Sequence, residues 1–170
     1  MRYIGVIKED TVNAFQGSHF TIYFSGCTHH CEGCFNQVAW DFNVGDIFNQ
    51  RTMIQCIELA KKEYIKGISV LGGEPFQQDK ILFYIKTMKE QVKKPIFVWS
   101  GYTFEQLIEM HDAKECLNYV DVLIDGKFDI TKKDPSLILR GSSNQRIIDV
   151  QESLKKGEVV LCNKILNQKS

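Results

Sequence analysis

The sequence predicts an α/β fold in a single domain over residues 1–170, built as a partial, open (β/α) barrel. Three observations lead there. Short apolar runs alternate with amphipathic helical stretches, the rhythm of a parallel sheet with crossover helices. Four of the apolar runs end in unusual segments: a cysteine-rich loop, Gly72-Gly73-Glu74-Pro75, Ser100-Gly101-Tyr102 and Asp125-Gly126-Lys127. Ligands of parallel α/β sheets bind beyond the carboxyl ends of the strands, so these four segments are expected to converge. Length supplies the third observation. A closed barrel typically takes ~250 residues and at least about 200. This chain has 170, which leaves an open side that a large substrate can cover.

In chain order, 2–7 reads as a first strand and 10–18 as a loop carrying Asn13 and Gly17. The apolar run 20–24 is a buried strand that delivers the cysteine loop. A short helical turn over 36–41 carries Trp40, and 42–50 is irregular around Gly45. Over 52–66, Met53, Ile54, Ile57, Leu59, Ala60 and Tyr64 recur at mostly helical spacing. A helix is expected there, with Gly67 as its C-terminal cap. The strand 68–71 runs into Gly72, a helix follows over 79–92, and 95–99 is the next strand. Thr103 is a good N-cap for a helix to about 111. A second helical piece covers 113–117, and 119–124 is a further strand. The segment 129–144 is polar and loop-like. Residues 146–150 and 159–162 are expected to pair. The region from about 150 to 170 reads as a C-terminal extension whose last residues fray.

Composition narrows the function. A formal net charge of +0 removes the basic footprint that nucleic-acid binding needs. No apolar run approaches the ~20 residues that cross a bilayer, and the first residues lack a signal-peptide core. A cytoplasmic protein without nucleic-acid or membrane partners is expected, in a reducing setting that suits thiolate ligands. Cys56, Cys116 and Cys162 are scattered among apolar residues and read as buried small hydrophobes.

The stretch Gly26-Cys27-Thr28-His29-His30-Cys31-Glu32-Gly33-Cys34-Phe35-Asn36 sets three cysteines in one loop, spaced C-x3-C-x2-C. A four-iron cluster is normally held by four thiolates. Three leave one iron without a protein ligand, and an open metal position is where a metal site does chemistry. Other readings compete. A structural zinc site takes four ligands, commonly from two paired motifs. No second pair exists here, although His29 or His30 offers a fourth ligand. Disulfides disagree with the compartment and with the odd number of clustered cysteines. A redox pair at Cys31 and Cys34 leaves Cys27 unexplained. Gly72-Gly73-Glu74-Pro75 is the second motif. Two glycines allow close backbone approach to a ligand, and Glu74 adds an acceptor. Alone, it is an ordinary strand-to-helix turn. Beside the cysteine triplet it reads as a ligand site.

The pair of motifs resembles the radical S-adenosylmethionine superfamily. That resemblance implies that Cys27, Cys31 and Cys34 ligate a [4Fe-4S] cluster, and that the methionyl amine and carboxylate of S-adenosylmethionine occupy the open iron. It implies that Gly33, Cys34 and Phe35, with Gly72, Gly73 and Glu74, line the S-adenosylmethionine site. Ser100 and Lys127 are candidates for ribose and carboxylate contacts, each equally readable as a turn or surface residue. Catalysis would rest on the cluster and S-adenosylmethionine, with no acid–base dyad, and His29, His30 and Glu32 would be surrounding loop residues. One electron would cleave the sulfonium to methionine and a 5′-deoxyadenosyl radical, which removes a hydrogen atom from the substrate.

Within the superfamily, Gly33 before the third cysteine and Phe35-Asn36 after it are similar to one branch, the activating proteins of anaerobic ribonucleoside-triphosphate reductase. Ser25-Gly26-Cys27, Trp99-Ser100-Gly101-Tyr102, the run from Val120 to Phe128, Asp134-Pro135-Ser136-Leu137-Ile138 and Arg140-Gly141-Ser142-Ser143-Asn144-Gln145-Arg146 resemble that family's segments in order. The implied substrate is a glycine of the large reductase subunit. The implied partners are that subunit, a low-potential electron donor such as flavodoxin, and a second copy in a homodimer. The chain departs from the family at Ala14-Phe15-Gln16-Gly17, where a Gly-Pro-Gly turn is common. Pyruvate formate-lyase activase, 7-carboxy-7-deazaguanine synthase and a zinc-stabilised binding module without catalysis are the alternatives.

Overall fold

The computed structural model describes residues 1–167, and the frayed end expected at 168–170 lies outside them. The elements are β1 (Arg2–Asp10), β2 (Ser18–Phe24), β3 (Asp46–Ile47), α1 (Gln50–Ala60), β4 (Ile65–Gly72), α2 (Ile81–Val92) and β5 (Ile96–Trp99). They continue with α3 (Phe104–Glu109), α4 (His111–Leu117), β6 (Val122–Asp125), β7 (Arg146–Asp149), α5 (Val150–Lys156) and α6 (Asn163–Leu166). Among the described residues, seven strands form one open sheet in the order β3-β1-β2-β4-β5-β6-β7. The four central strands are parallel, as expected. The sheet as a whole is mixed, because β1, β3 and β7 join it antiparallel.

Alternation along the parallel strands explains why both faces are covered. Phe20, Ile22 and Phe24 of β2, Ile68 and Val70 of β4, and Ile96 and Val98 of β5 point to one face. There they meet Met53 and Cys56 of α1, Tyr84, Ile85 and Met88 of α2, and Leu107, Cys116 and Leu117 of α3 and α4. The intervening residues Phe97, Val122, Ile124 and Ile147 face the other way, onto Phe15, Leu139, Cys162 and Ile165. Cys56, Cys116 and Cys162 are all buried, as read from the sequence. Cys162 and Ile165 also show that the C-terminal region is packed into this second core rather than appended to the surface. The expected pairing of 146–150 with 159–162 is present as a short antiparallel bridge, Ile148 with Leu161, flanked by the bonds Asp149 N–H to Val160 O and Cys162 N–H to Ile147 O, while the other edge of β7 ladders with β6.

One boundary differs from expectation for a physical reason. The helix predicted over 52–66 stops at Ala60, and Gly67 is not its cap. Ile65 is fully buried and begins β4, which pairs with β2 from Ser18 onward. Gly67 sits inside that strand because the ring of His19 lies where a side chain would go: a Cβ there would be 2.5 Å from His19 Nε2. His19 is fully buried, with Nδ1 2.9 Å from Ser69 Oγ, and Ser69 donates to the carbonyl of Asn13. The loop over 11–17, which departs from the family pattern, is thereby tied across the sheet. Asp10 anchors its start, accepting from the Val12 and Asn13 amides and the Asn13 side chain. A short strand, β3, was also missed in the stretch read as irregular; it pairs only with Arg2 and Tyr3.

Gly67→Ala is expected to destabilise the chain by about 1–3 kcal/mol through overpacking against His19. Urea unfolding measures it, and wild-type stability would show that the ring can swing aside.

Candidate functional site

The four strand-end segments converge as expected: one buried carboxylate joins three of them, and the fourth, after β6, meets them through the Phe128 amide on Cys31 and the Gly126 amide on the Tyr102 carbonyl. Glu74 follows β4 and is fully buried. Its Oε1 accepts from Ser100 Oγ at 2.8 Å and from the Phe76 amide at 3.1 Å. Its Oε2 accepts from the Gly101 amide at 2.7 Å and lies 3.1 Å from His29 Nε2. An ionised carboxylate only accepts, so the His29 proton belongs on Nε2. The cysteine loop after β2, the turn after β4 and the turn after β5 are thus bonded to one side chain. Gln77 adds a second tie: its carbonyl accepts from the Thr28 amide at 2.8 Å, and its NH2 donates to Thr28 Oγ1 and Tyr102 Oη.

The glycines of the second motif have a reason that the sequence did not reveal. A Cβ on Gly73 would stand 2.4 Å from the Gly26 carbonyl oxygen and 2.6 Å from that of Ala39. The close approach they permit is to the backbone of the cysteine loop itself. The Gly73 amide donates to Phe24 O, and the Glu74 amide to Gly26 O at 2.9 Å. Ser100 is likewise committed, since besides Glu74 it accepts from the Tyr102 amide.

Cys27 is buried, and Cys31 and Cys34 are half-buried free thiols. Burial pushes the Cys27 thiol above its ordinary value, against the His29 and His30 amides that face its sulfur. Burial also pushes Cys31 up, opposed by the Phe128 amide and by Lys127. The Cys31 thiol pushes Cys27 up electrostatically, and the Cys34 thiol does the same to Cys31, so each thiol lies near the next along the loop. Backbone N–H groups aimed at sulfur favour the thiolate, the form that binds metal. Among the described residues, no three His, Cys, Asp or Glu side chains converge as a single-ion site. A four-iron cluster asks for less convergence, because each thiolate takes a different iron. The donor set therefore fits a cluster on Cys27, Cys31 and Cys34. Phe35 is fully exposed beside it.

The fourth segment, after β6, lies across a cleft of about 630 Å³ bordered by Glu32, Lys127, Phe128 and Asp129. Lys127 is exposed and approaches Cys31 rather than Glu74. Asp125 is buried and accepts from the Phe104 amide at the start of α3 and from Arg146. Arg146 also donates two parallel hydrogen bonds to the Glu105 carboxylate. Of the polar segment around Arg140 and Arg146, Arg146 therefore locks β6, β7 and α3 together. No local pattern pointed to these pairings, because the partners lie 21 and 41 residues away in the chain. Gln77 was missed; the polar pair Gln77-Gln78 soon after the motif was the available hint.

A sheet whose strand ends gather around a three-thiol loop defines an iron–sulfur protein. Accordingly, the family described as "4Fe-4S single cluster domain" matches residues 15–148. The anaerobic ribonucleoside-triphosphate reductase-activating protein of Pasteurella multocida (strain Pm70) is 39% identical over 153 residues, covering 86% of this chain and 96% of the relative. Its namesake in Escherichia coli (strain K12) is 38% identical over 152 residues, covering 85% and 96%. That of Enterobacteria phage T4 is 35% identical over 152 residues, covering 86% and 93%. The chain belongs to the family of anaerobic ribonucleoside-triphosphate reductase-activating proteins.

Two outcomes are expected. In the metal-free chain at about pH 8, alkylation should label Cys31 and Cys34, while Cys56 and Cys116, both pushed by burial to about 12, stay unlabelled until unfolding. Labelling of Cys56 in the folded chain would contradict the helix-side core. The second concerns Glu105, whose carboxyl the Arg146 hydrogen bonds hold down at about 2, against an ordinary 4.5. Its stabilising contribution is fully present above the ordinary value and is lost as pH falls toward about 2. Glu105→Gln should flatten the fall in Tm across that window, and an unchanged slope would assign the acid sensitivity elsewhere.

Proposed function

We propose that this chain is a radical S-adenosylmethionine enzyme that installs a glycyl radical on anaerobic ribonucleoside-triphosphate reductase. The observation that carries the reading is the bonding of the three-cysteine loop to the Gly72-Gly73-Glu74 turn, which makes two motifs one site. The names of the relatives supply the partner, since each is an activating protein of that reductase. The open sheet is then read as the partial barrel of that superfamily.

Cys27, Cys31 and Cys34 would hold the cluster, and the amides facing Cys27 and Cys31 would favour their thiolate forms. When bound, the cluster supplies one electron, which cleaves S-adenosylmethionine to methionine and a 5′-deoxyadenosyl radical; that radical takes a hydrogen atom from the glycine and leaves 5′-deoxyadenosine. The protein's part is to bind, orient and exclude water. Gly33, Phe35, Gly72, Gly73 and Glu74 border the place for S-adenosylmethionine, Glu74 by fixing the turn with a carboxylate already bonded inside the protein. Lys127, beside Cys31, is placed to favour an anionic group near the cluster. The cleft beside it leaves a side open for a polypeptide loop of the reductase. A low-potential donor such as flavodoxin, a homodimer and a cytoplasmic setting complete the reading.

The test is anaerobic. After reconstitution with iron and sulfide and reduction with dithionite, S-adenosylmethionine should yield 5′-deoxyadenosine. Adding the reductase subunit should produce a glycyl-radical doublet in electron paramagnetic resonance. Cys31→Ala should abolish both, and cleavage retained in that variant would remove Cys31 from the ligand set.

A further inference from the structure

We infer that His29, held by Glu74, is a positioning residue that fixes the first half of the cysteine loop against the glycine-rich turn. The role deepens the reading above and rests on it for its meaning toward S-adenosylmethionine, although its geometry stands without it. His29 lies between Cys27 and Cys31, at a position where the C-x3-C-x2-C spacing requires no particular side chain. It is nonetheless nearly buried, at 8% exposure. Its Nε2 meets the Glu74 carboxylate, and its ring stands edge-on to Tyr102 at 4.6 Å. Gly101 makes room for it: a Cβ there would lie 2.4 Å from His29 Cδ2. The neighbouring His30 packs edge-on against the ring of Trp40, with no side-chain hydrogen bond among the described residues.

The two halves of the loop are therefore held unequally. Thr28 and His29 are bonded to the segment after β4 and packed on the turn after β5. The half from Cys31 to Phe35 carries an internal Cys34-to-Cys31 bond and the Phe128 amide, and ends in a fully exposed ring. Cys27 is thus the fixed point of the three thiols. The Glu74 amide on the Gly26 carbonyl already pins the start of the loop to the Gly72-Gly73 turn, and the His29–Glu74 bond carries that hold past Cys27 to the peptides that lead to Cys31. A molecule seated between the loop and that turn would feel the loss of this hold, whereas three intact cysteines would still collect iron.

The experiment compares wild type with His29→Ala, His29→Gln, His30→Ala and Gly101→Ala, with thermal melting to confirm folding. In the metal-free proteins, peptide-mapped alkylation should find Cys27 about tenfold faster in His29→Ala, the loss of one charge-assisted hydrogen bond. His29→Gln, whose amide can still donate to Glu74, should restore a rate within about threefold of wild type. His30→Ala should match wild type. Gly101→Ala keeps both bonding partners but pushes the ring away, so it should behave as His29→Ala even if that variant fails to fold. After reconstitution, iron content should be equal throughout. The S-adenosylmethionine concentration that half-completes the change in the reduced cluster's resonance spectrum should rise about tenfold only in His29→Ala and Gly101→Ala. An unchanged Cys27 rate in Gly101→Ala, no rescue by glutamine, or iron lost together with binding would overturn the inference. A wild-type spectrum indifferent to S-adenosylmethionine, with the alkylation pattern intact, would instead sink the proposed function and leave the positioning role standing.

Discussion

The fold around the site depends on satisfying one carboxylate that is shut off from solvent. Burying an unpaired carboxylate costs several kcal/mol or more, so such a group persists only where donors surround it. Glu74 receives two backbone amides, a serine hydroxyl and an imidazole. Those donors belong to three different connections, which fixes their mutual distances far more tightly than apolar contact would. Removing any donor leaves the charge under-bonded, and removing the charge leaves several donors without an acceptor. The site is therefore rigid where the strands end, although it is made of loops.

The same logic separates the two faces of the sheet. The helix-covered face is filled by aliphatic and aromatic side chains with ordinary packing. The other face is polar near β2 and β4, with His19, Thr21 and Ser69 buried, and apolar toward β5, β6 and β7. Its cover consists of loops and the C-terminal segment. Arg146 closes the far end by bonding Asp125 and Glu105, so the cleft beside Lys127 has one firm wall.

Much of this was legible in the sequence, for local reasons. The strands 20–24 and 95–99 announced themselves by apolar runs, Thr103 by its capping chemistry, and the three cysteines by spacing. The capping box of Thr103 with Gln106 is present in the structure. What stayed hidden depends on partners remote in the chain. Gly67 looked like a helix cap because the histidine that demands a glycine there comes from β2. The close packing at Gly73 was hidden because the carbonyls it accommodates belong to Gly26 and Ala39. Glu74 looked like a free acceptor, and only the folded chain shows its lone pairs already engaged. The antiparallel edges were not foreseen because the alternation of strand and helix speaks for the centre of the sheet and is silent about β1, β3 and β7.

The bonds around Glu74 also impose an order of events during synthesis. His29 meets a carboxylate 45 residues further on, and that carboxylate in turn needs donors from the end of β5. A chain leaving the ribosome from its N-terminus exposes all three thiols long before those partners exist. The loop acquires its shape only once β2, β4 and β5 lie side by side. The mutual placement of the three thiols is therefore a product of strand pairing rather than of the local cysteine spacing, and a chain stalled before β5 would carry the whole motif without the bonds that shape it.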